Sequence, residues 1–367
     1  HGDWNDSLQP ADPSLREHLC SAWTVTLHHQ ALSALRQALA AVGRHDDAAV
    51  LADEAAAVRA DFRRWLMPGG VVAGYALFEP GQPPEWLLHP QDRRTGLRYS
   101  LLPLMHAVLE SLLTPDEAQA QAALIEQHLL GPDGARLFDR PLPYHGGPMT
   151  LFQRAESAAF FGREIGVMYM HAHVRWAEML AHLGHAERFW QALQQVHPVG
   201  LVERLPQASR RQANCYYSSS DAAFPDRWQA QQGYDRIAAG TVALDGGWRV
   251  YSSGPGLALG VWITRFLGLR REHDQVVLDP VVAPSLRGVV TRLDLCGHAV
   301  RLDLRPGARG CGVRRLELDG RDLPFTPEPN AYRDGGARLD RQALHVALAA
   351  AEAAASGAVP ALVVHLG

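Results

Sequence analysis

Residues 255–280, PGLALGVWITRFLGLRREHDQVVLDP, hold the point where one kind of fold gives way to another. The stretch 255–268 fits a helix, and 275–278 opens a series of short β-branched runs. Working back from that junction, apolar residues recur at helical spacing. From 14 to 42 they are Leu19, Trp23, Leu27, Ala31, Leu35 and Leu39. A second helix fits 46–66, stopped by Pro68-Gly69-Gly70, and others fit 97–113, 115–130, 152–161, 165–183 and 185–196. The helix at 115 is opened by Thr114-Pro115-Asp116-Glu117, an N-cap followed by proline and two acids. Working forward, strands fit 275–278, 289–295, 299–304 and 313–318, and Asp319-Gly320 is a hairpin turn signal.

Short and long loops alternate between the helices. Residues 71–96, with a short apolar strand at 71–77, residues 131–150 and residues 197–247 are the long ones. Connections of that length within a compact helical region are usually functional. This alternation predicts an α+β chain: an (α/α)6 toroid, incomplete at its N-terminus, over residues 1–270, then a C-terminal antiparallel β-sandwich or jelly roll over 271–367. The start at His1, without an initiator Met or a signal-type segment, predicts a piece of a longer polypeptide.

Composition removes several function classes. The 367 residues are 47% hydrophobic and 20% charged, too apolar for a disordered chain. A net charge of −4 argues against nucleic-acid binding through a broad basic surface. No apolar run is long enough for a transmembrane helix, since the Ala-rich run at 345–355 carries Glu352. All 35 basic residues are Arg, as a GC-rich genome would favour. Cys20, Cys215, Cys296 and Cys311 lack metal-ligand spacing and read as small buried hydrophobes in a reducing, cytoplasmic compartment. His28-His29 and His171-x-His173 are not i,i+4 pairs, so no metal site is expected.

Four segments could carry chemistry. In His1-Gly2-Asp3-Trp4-Asn5-Asp6, two carboxylates flank an aromatic and an amide. Trp can stack on a sugar, Asn can bond hydroxyls, and a carboxyl beside an apolar ring shifts towards general-acid use. The same residues equally read as a turn capping the next helix. In Phe161–His173, Glu164 and His171 stand seven apart, which on a helix places them on one face. A core histidine is the ordinary reading there. In Trp248–Gly256, Ser252, Ser253 and Gly254 precede a helix, where free N–H groups can bind an anion, though an ordinary Ser N-cap fits too. Gln153, Arg154 and Glu156 open a helix after the Gly/Pro loop and could line a mouth or form salt bridges.

The order GDWND, then E-x-G-x-x-Y-x-H-A, then Ser-Gly before a helix, then a β-region, resembles the glycoside hydrolase family 94 inverting phosphorylases. Phe266-Leu-Gly-Leu-Arg-Arg followed by Val277-Leu-Asp-Pro280 resembles that family's junction into its C-terminal sandwich. The forms HGDWNDSLQP and YSSGPG are nearest the branch that acts on 1,2-β-oligoglucan. The resemblance implies that Asp6 is the general acid and that Trp4, Asp3 and Glu164 contact sugar. It further implies that His171, Ser253 and Gly254 bind phosphate. Departures from the family pattern fall at Ile165, Val167 and Met170 and in the Tyr251–Gly256 turn.

The implied reaction is phosphorolysis of a β-linked glucooligosaccharide, β-1,2 favoured, releasing α-glucose 1-phosphate. It needs no cofactor, because inorganic phosphate is itself a substrate. Its implied partners are oligosaccharide, phosphate, the N-terminal remainder of the enzyme and, as for many relatives, a second copy in a homodimer. Alternatives are a cellobiose or other β-glucobiose phosphorylase, an inverting hydrolase using water with Glu164 or Glu156 as base, and a non-catalytic sugar-binding module. The phosphate pocket is expected to use His, Ser and backbone N–H groups, with any Arg clamp outside this chain.

Overall fold

The computed structural model describes residues 2–143, 148–153, 167–211, 219–246, 253–354 and 358–367, with the backbone alone for Asp6 and Ser253. The chain divides into two compact units, 1–176 with 195–255, and 177–194 with 256–367.

In the first unit, α1 (Ala22–Ala41) and α2 (His45–Leu66) pack along one another through a three-residue link, and α3 (Leu101–Leu109) leads through a short link to α4 (Pro115–His128). The start of α4 is a complete capping box: Thr114 Oγ1 accepts from the Glu117 N–H, and Glu117 Oε2 accepts from the Thr114 N–H at 2.8 Å. Glu117 also takes a two-pronged bond from Arg63 at 2.6 and 2.7 Å, which ties α2 to α4.

The first helix starts eight residues later than its periodicity predicts. Asp12 caps a separate 3-10 turn, Pro13–Glu17, and 19–21 are drawn into a strand. Ser21 Oγ then accepts from the Thr24 N–H and starts the helix. That strand, β1 (Leu19–Ser21), joins β2 (Tyr75–Leu77) and β3 (Glu85–Leu87) in an antiparallel sheet. Every residue of β2 is buried.

The chain segments beyond α4 meet in small sheets. β4 (Leu130–Gly131) pairs β5 (Gly134–Ala135), and Arg136 bridges to Met168. From there β6 (Met168–Tyr169), β7 (Ser219–Ala222) and β8 (Leu244–Gly246) run antiparallel in that order. Helix α5 (Met170–Leu183) follows β6 directly and α6 (Ala186–Gln195) follows after a turn at Gly184. The helix expected from 165 thus begins at 170, because Met168 and Tyr169 are strand residues. The expected helix at 152–161 falls largely outside the described residues. Three short helices, α7 (Leu201–Arg204), α8 (Arg227–Gln232) and α9 (Asp235–Ala238), close a satellite core of Leu201, Phe224, Ala230, Tyr234, Ile237 and Leu244.

The second unit holds most of α10 (Ser253–Val261), five residues of π-helical geometry at Trp262–Phe266, and two sheets. One runs in the order β15 (Thr326–Pro327), β16 (Ala337–Asp340), β10 (Gln275–Leu278), β9 (Leu269–Glu272). The other runs β11 (Val289–Leu295), β12 (His298–Arg305), β17 (Ala361–Leu366), β13 (Val313–Leu318), β14 (Arg321–Asp322). Alternation puts Val300, Leu302, Leu316, Leu362 and Val364 inside with Val276, Leu278 and Leu339.

Two features correct the expectation of an antiparallel sandwich or jelly roll. Strands β12 and β17 are parallel, and the chain reaches β17 through a helix, α11 (Arg341–Ala354), that adds Leu344 and Leu348 to the core. The turn at Asp319-Gly320 is as expected: both residues have positive φ, 47° and 76°, as a type I′ hairpin requires.

The second unit takes in 177–194 because polar bonds bind that segment to it. Arg265 Nη2 meets Glu178 at 2.9 Å, Arg333 Nε donates to the Ala181 carbonyl at 3.0 Å, and Ser285 N donates to Glu187 at 2.8 Å. Arg333 and Asp279 form a two-pronged pair at 2.9 Å with both side chains almost wholly buried. Cys20, Cys296 and Cys311 carry free thiols, and Cys215 lies outside the described residues. Among the described residues no helix is long and apolar enough to cross a membrane.

Candidate active site

The segment Gly2–Pro10 enters the first unit as a folded turn. Asn5, 1% exposed, caps a 3-10 turn at Asp6–Leu8 by accepting from the Ser7 N–H at 2.9 Å. Asp3 holds the same turn from the other side. Its carboxylate accepts from the Asn5 N–H at 2.9 Å and from the Ser21 hydroxyl at 3.2 Å, and it also meets the Tyr75 hydroxyl. Burial pushes the Asp3 carboxyl up to about 6, against the lowering effect of those hydrogen bonds. Further on, Ala11 N donates to the Leu151 carbonyl and Gln153 N to the Gln9 carbonyl, both around a bridge between Pro10 and Phe152.

Trp4 stands on this turn with its ring edge against Tyr169, centroids 5.0 Å apart. Tyr169, the last residue of β6, stacks on His171 at 4.8 Å and 24°. His171 lies in the first turn of α5. Burial, and then the charge of Arg175, push its imidazole below the ordinary histidine range. Ser253 and Gly254 are the first two residues of α10 rather than the end of a preceding loop. A Cβ at Gly254 would stand 3.2 Å from Met170 Sδ and 3.3 Å from Met170 Cβ, so the first turn of α10 runs close to the first turn of α5. The starts of two helices therefore approach one another, and their dipoles favour an anion there.

Beside β6, on segments paired with it, stand buried charges. Arg136 bonds Asp133 at 2.7 and 3.2 Å with both side chains buried, and Arg211 Nη2 donates to Ser220 Oγ at 2.9 Å. Asp221, on the same strand as Ser220, is raised to about 6, mainly by burial and against the pull of Arg136. His173 Nδ1 accepts from the Ala135 N–H at 3.0 Å, which leaves its proton on Nε2.

Of the residues singled out in the sequence, the structure brings together Trp4, His171 and Gly254, with the backbones of Asp6 and Ser253 on the same two segments. Asp3 is placed within the turn itself, facing protein donors. Glu164, Arg154 and Glu156 lie outside the described residues, as does Ser252. Since 167–169 are not helical, the shared helix face expected for Glu164 and His171 does not extend from α5. Arg175 was not singled out, although its i,i+4 spacing from His171 was the available signal. Tyr169 was read only as part of the His motif, without a role of its own, and Tyr75 was missed. Among the described residues no group of three metal-ligating side chains gathers.

Comparison with known proteins now bears on this geometry. A family model described as "Glycoside phosphorylase C-terminal domain" matches residues 268–354. A curated relative named 1,2-beta-oligoglucan phosphorylase, from Listeria innocua serovar 6a, is 38% identical over 344 residues, 94% of this chain. The chain spans 31% of that relative's length. A solved structure titled Sialidase aligns over 87% of this chain and 26% of its own, with a TM-score of 0.50 and 11% identity, which speaks for fold alone. Over nearly its whole length, then, the chain is similar to a glycoside phosphorylase, and residues 268–354 match a model of the glycoside phosphorylase C-terminal domain.

Proposed function

We propose that the full-length protein is an inverting phosphorylase of β-linked glucooligosaccharides, with β-1,2 linkages favoured. The 38% identity over 344 residues to a protein named 1,2-beta-oligoglucan phosphorylase carries this reading. The convergence of Trp4, His171 and Gly254 on the start of α5 supports it.

In this reading Asp6 gives its proton to the glycosidic oxygen while phosphate attacks the anomeric carbon from the opposite face. The C–O bond to the leaving sugar breaks and α-glucose 1-phosphate forms. One protein acid suffices, because phosphate takes the place of the water and base of an inverting hydrolase. His171, Ser253 and Gly254 would hold the phosphate at the paired helix N-termini, and Arg175 would add charge nearby. With its pKa lowered, His171 is neutral near pH 7 and would offer one ring N–H to the dianion. Trp4 would stack on a sugar ring, with Glu164 also on the sugar side, and Asp3, first expected to touch sugar, would act there only by holding the turn.

No cofactor enters this chemistry. The helical pairs belong, in this reading, to an (α/α)6 toroid completed by other parts of the protein, working in the cytoplasm. The test is to incubate the full-length protein with phosphate and a panel of β-linked glucobioses and longer oligomers, assaying glucose 1-phosphate. Product from β-1,2-linked oligomers is expected only when phosphate is present. Release of reducing sugar in phosphate-free buffer would instead identify a hydrolase, and binding without turnover in either buffer a sugar-binding module.

A further inference from the structure

The turn that carries Asp6 is held by a residue far along the chain. Tyr75 lies on β2, 1% exposed, with its ring against Phe152 at 5.5 Å. Its hydroxyl donates to the Leu8 carbonyl at 3.5 Å and stands beside the Asp3 carboxylate, whose charge adds to burial in pushing the phenol up. Asp3 lies three residues before Asp6 and Leu8 two residues after it. A single phenol thus spans the turn on both sides of the residue read as the acid. Phe152, packed on the same ring, pairs through its backbone with Pro10, so the exit of the turn is fixed from the same point. Ser21, at the end of β1 beside Tyr75 in register, supplies a further donor to Asp3.

We propose that Tyr75 is a positioning residue that sets the placement of Asp6 for proton transfer. This rests on the reading of Asp6 as the general acid. The ring alone fills the core site, so removing the hydroxyl leaves the packing and takes away the clamp. A carboxyl misplaced by a fraction of an ångström donates less well in the transition state, while sugar and phosphate still bind. Tyr75→Phe should therefore lower kcat and leave KM for oligosaccharide and phosphate little changed.

The experiment compares two donors in the full-length enzyme. A β-1,2-glucooligosaccharide needs a protonated leaving group. β-Glucosyl fluoride does not, because fluoride leaves as the C–F bond breaks and phosphate oxygen bonds to carbon. Tyr75→Phe should lose about ten-fold in kcat on the oligosaccharide and keep wild-type turnover of the fluoride. Asp6→Asn should show the same split more strongly, and the double variant should be no worse than Asp6→Asn alone.

If Tyr75→Phe is wild type on the oligosaccharide while Asp6→Asn is not, the positioning role is wrong and the acid stands. An equal loss on both donors, with a lowered melting temperature, assigns Tyr75 a structural role only and also overturns the proposal. Were Asp6→Asn unimpaired on the oligosaccharide, the acid reading itself would fail and the inference with it. Ser21→Ala, which removes a different donor to Asp3, is expected to give a milder version of the same split.

Discussion

Gly134 adopts φ +132°, and a Cβ built on it would stand 2.8 Å from both His173 Nδ1 and Met168 Cγ. Both the backbone angle and the space demand glycine, and the neighbours cannot yield, since Met168 is strand-paired and His173 is fixed by the Ala135 N–H. Gly134→Ala should therefore lower stability by about 2–4 kcal/mol, read as a fall in denaturation midpoint, and should perturb Tyr169 and His171 above it. A variant as stable as wild type would remove the steric argument. At this scale the sequence disclosed residues whose chemistry is local to a motif. Trp4, His171 and Gly254 could be picked from GDWND, the His motif and the Ser-Gly pair. Tyr75 and Asp133 could not, because their meaning comes from pairing across strands and buried charge that no spacing encodes. Arg175 was legible by helical spacing, but only once the start of α5 was known.

Elements were most legible where one periodicity acts alone. Strands at 275–278, 289–295 and 313–318 have the limits that alternation predicts, and the turn at Asp319-Gly320 has its expected form. Helix starts were less legible, because side-chain caps and strand pairing decide them. Ser21 starts α1 at 22, and pairing of Met168 with Ser220 delays α5 to 170. Helix α11 lay in an Ala-rich run weighed only against a membrane span, and it is this helix that carries the chain between β16 and β17 and permits the parallel β12–β17 pair.

A buried tie at this scale is the Arg333–Asp279 pair, which fastens the segment after β10 to the loop before β16. Replacing one partner strands the other charge, so Asp279→Ala should cost about 3–5 kcal/mol. By comparison, Thr114→Ala at the start of α4 should cost about 1 kcal/mol. Chemical denaturation of the two variants side by side checks the ranking, and equal losses would show that the buried pair contributes no more than a cap.

The molecule comprises a unit built around the candidate site and a unit built around two sheets, and a buried histidine in the second predicts a sensitivity to acid. His182 is pushed down to about 4, chiefly by burial and then by the charges of Arg265 and Arg333. Asn330 Nδ2 lies 3.3 Å from its Nδ1, which accepts in the neutral ring, and Tyr332 packs edge-on at 5.2 Å. The folded state keeps this imidazole neutral, whereas the unfolded chain protonates it below about 6.5. Between those values the unfolded state binds more protons, so stability falls as pH falls and levels out only below about 4. At pH 4.5 the loss from this one group is about 2–3 kcal/mol relative to pH 7. His182→Gln, which keeps a polar side chain without a titrating ring, should lose correspondingly less stability between pH 7 and pH 4.5 than the wild type. Urea unfolding at the two pH values, followed by a probe in the second unit such as Trp190 or Trp262, measures the difference. Parallel losses in the two proteins would assign the acid sensitivity elsewhere, with the free charges of the surface rather than with the buried seam of Glu178, Arg265, Asp279 and Arg333 around His182.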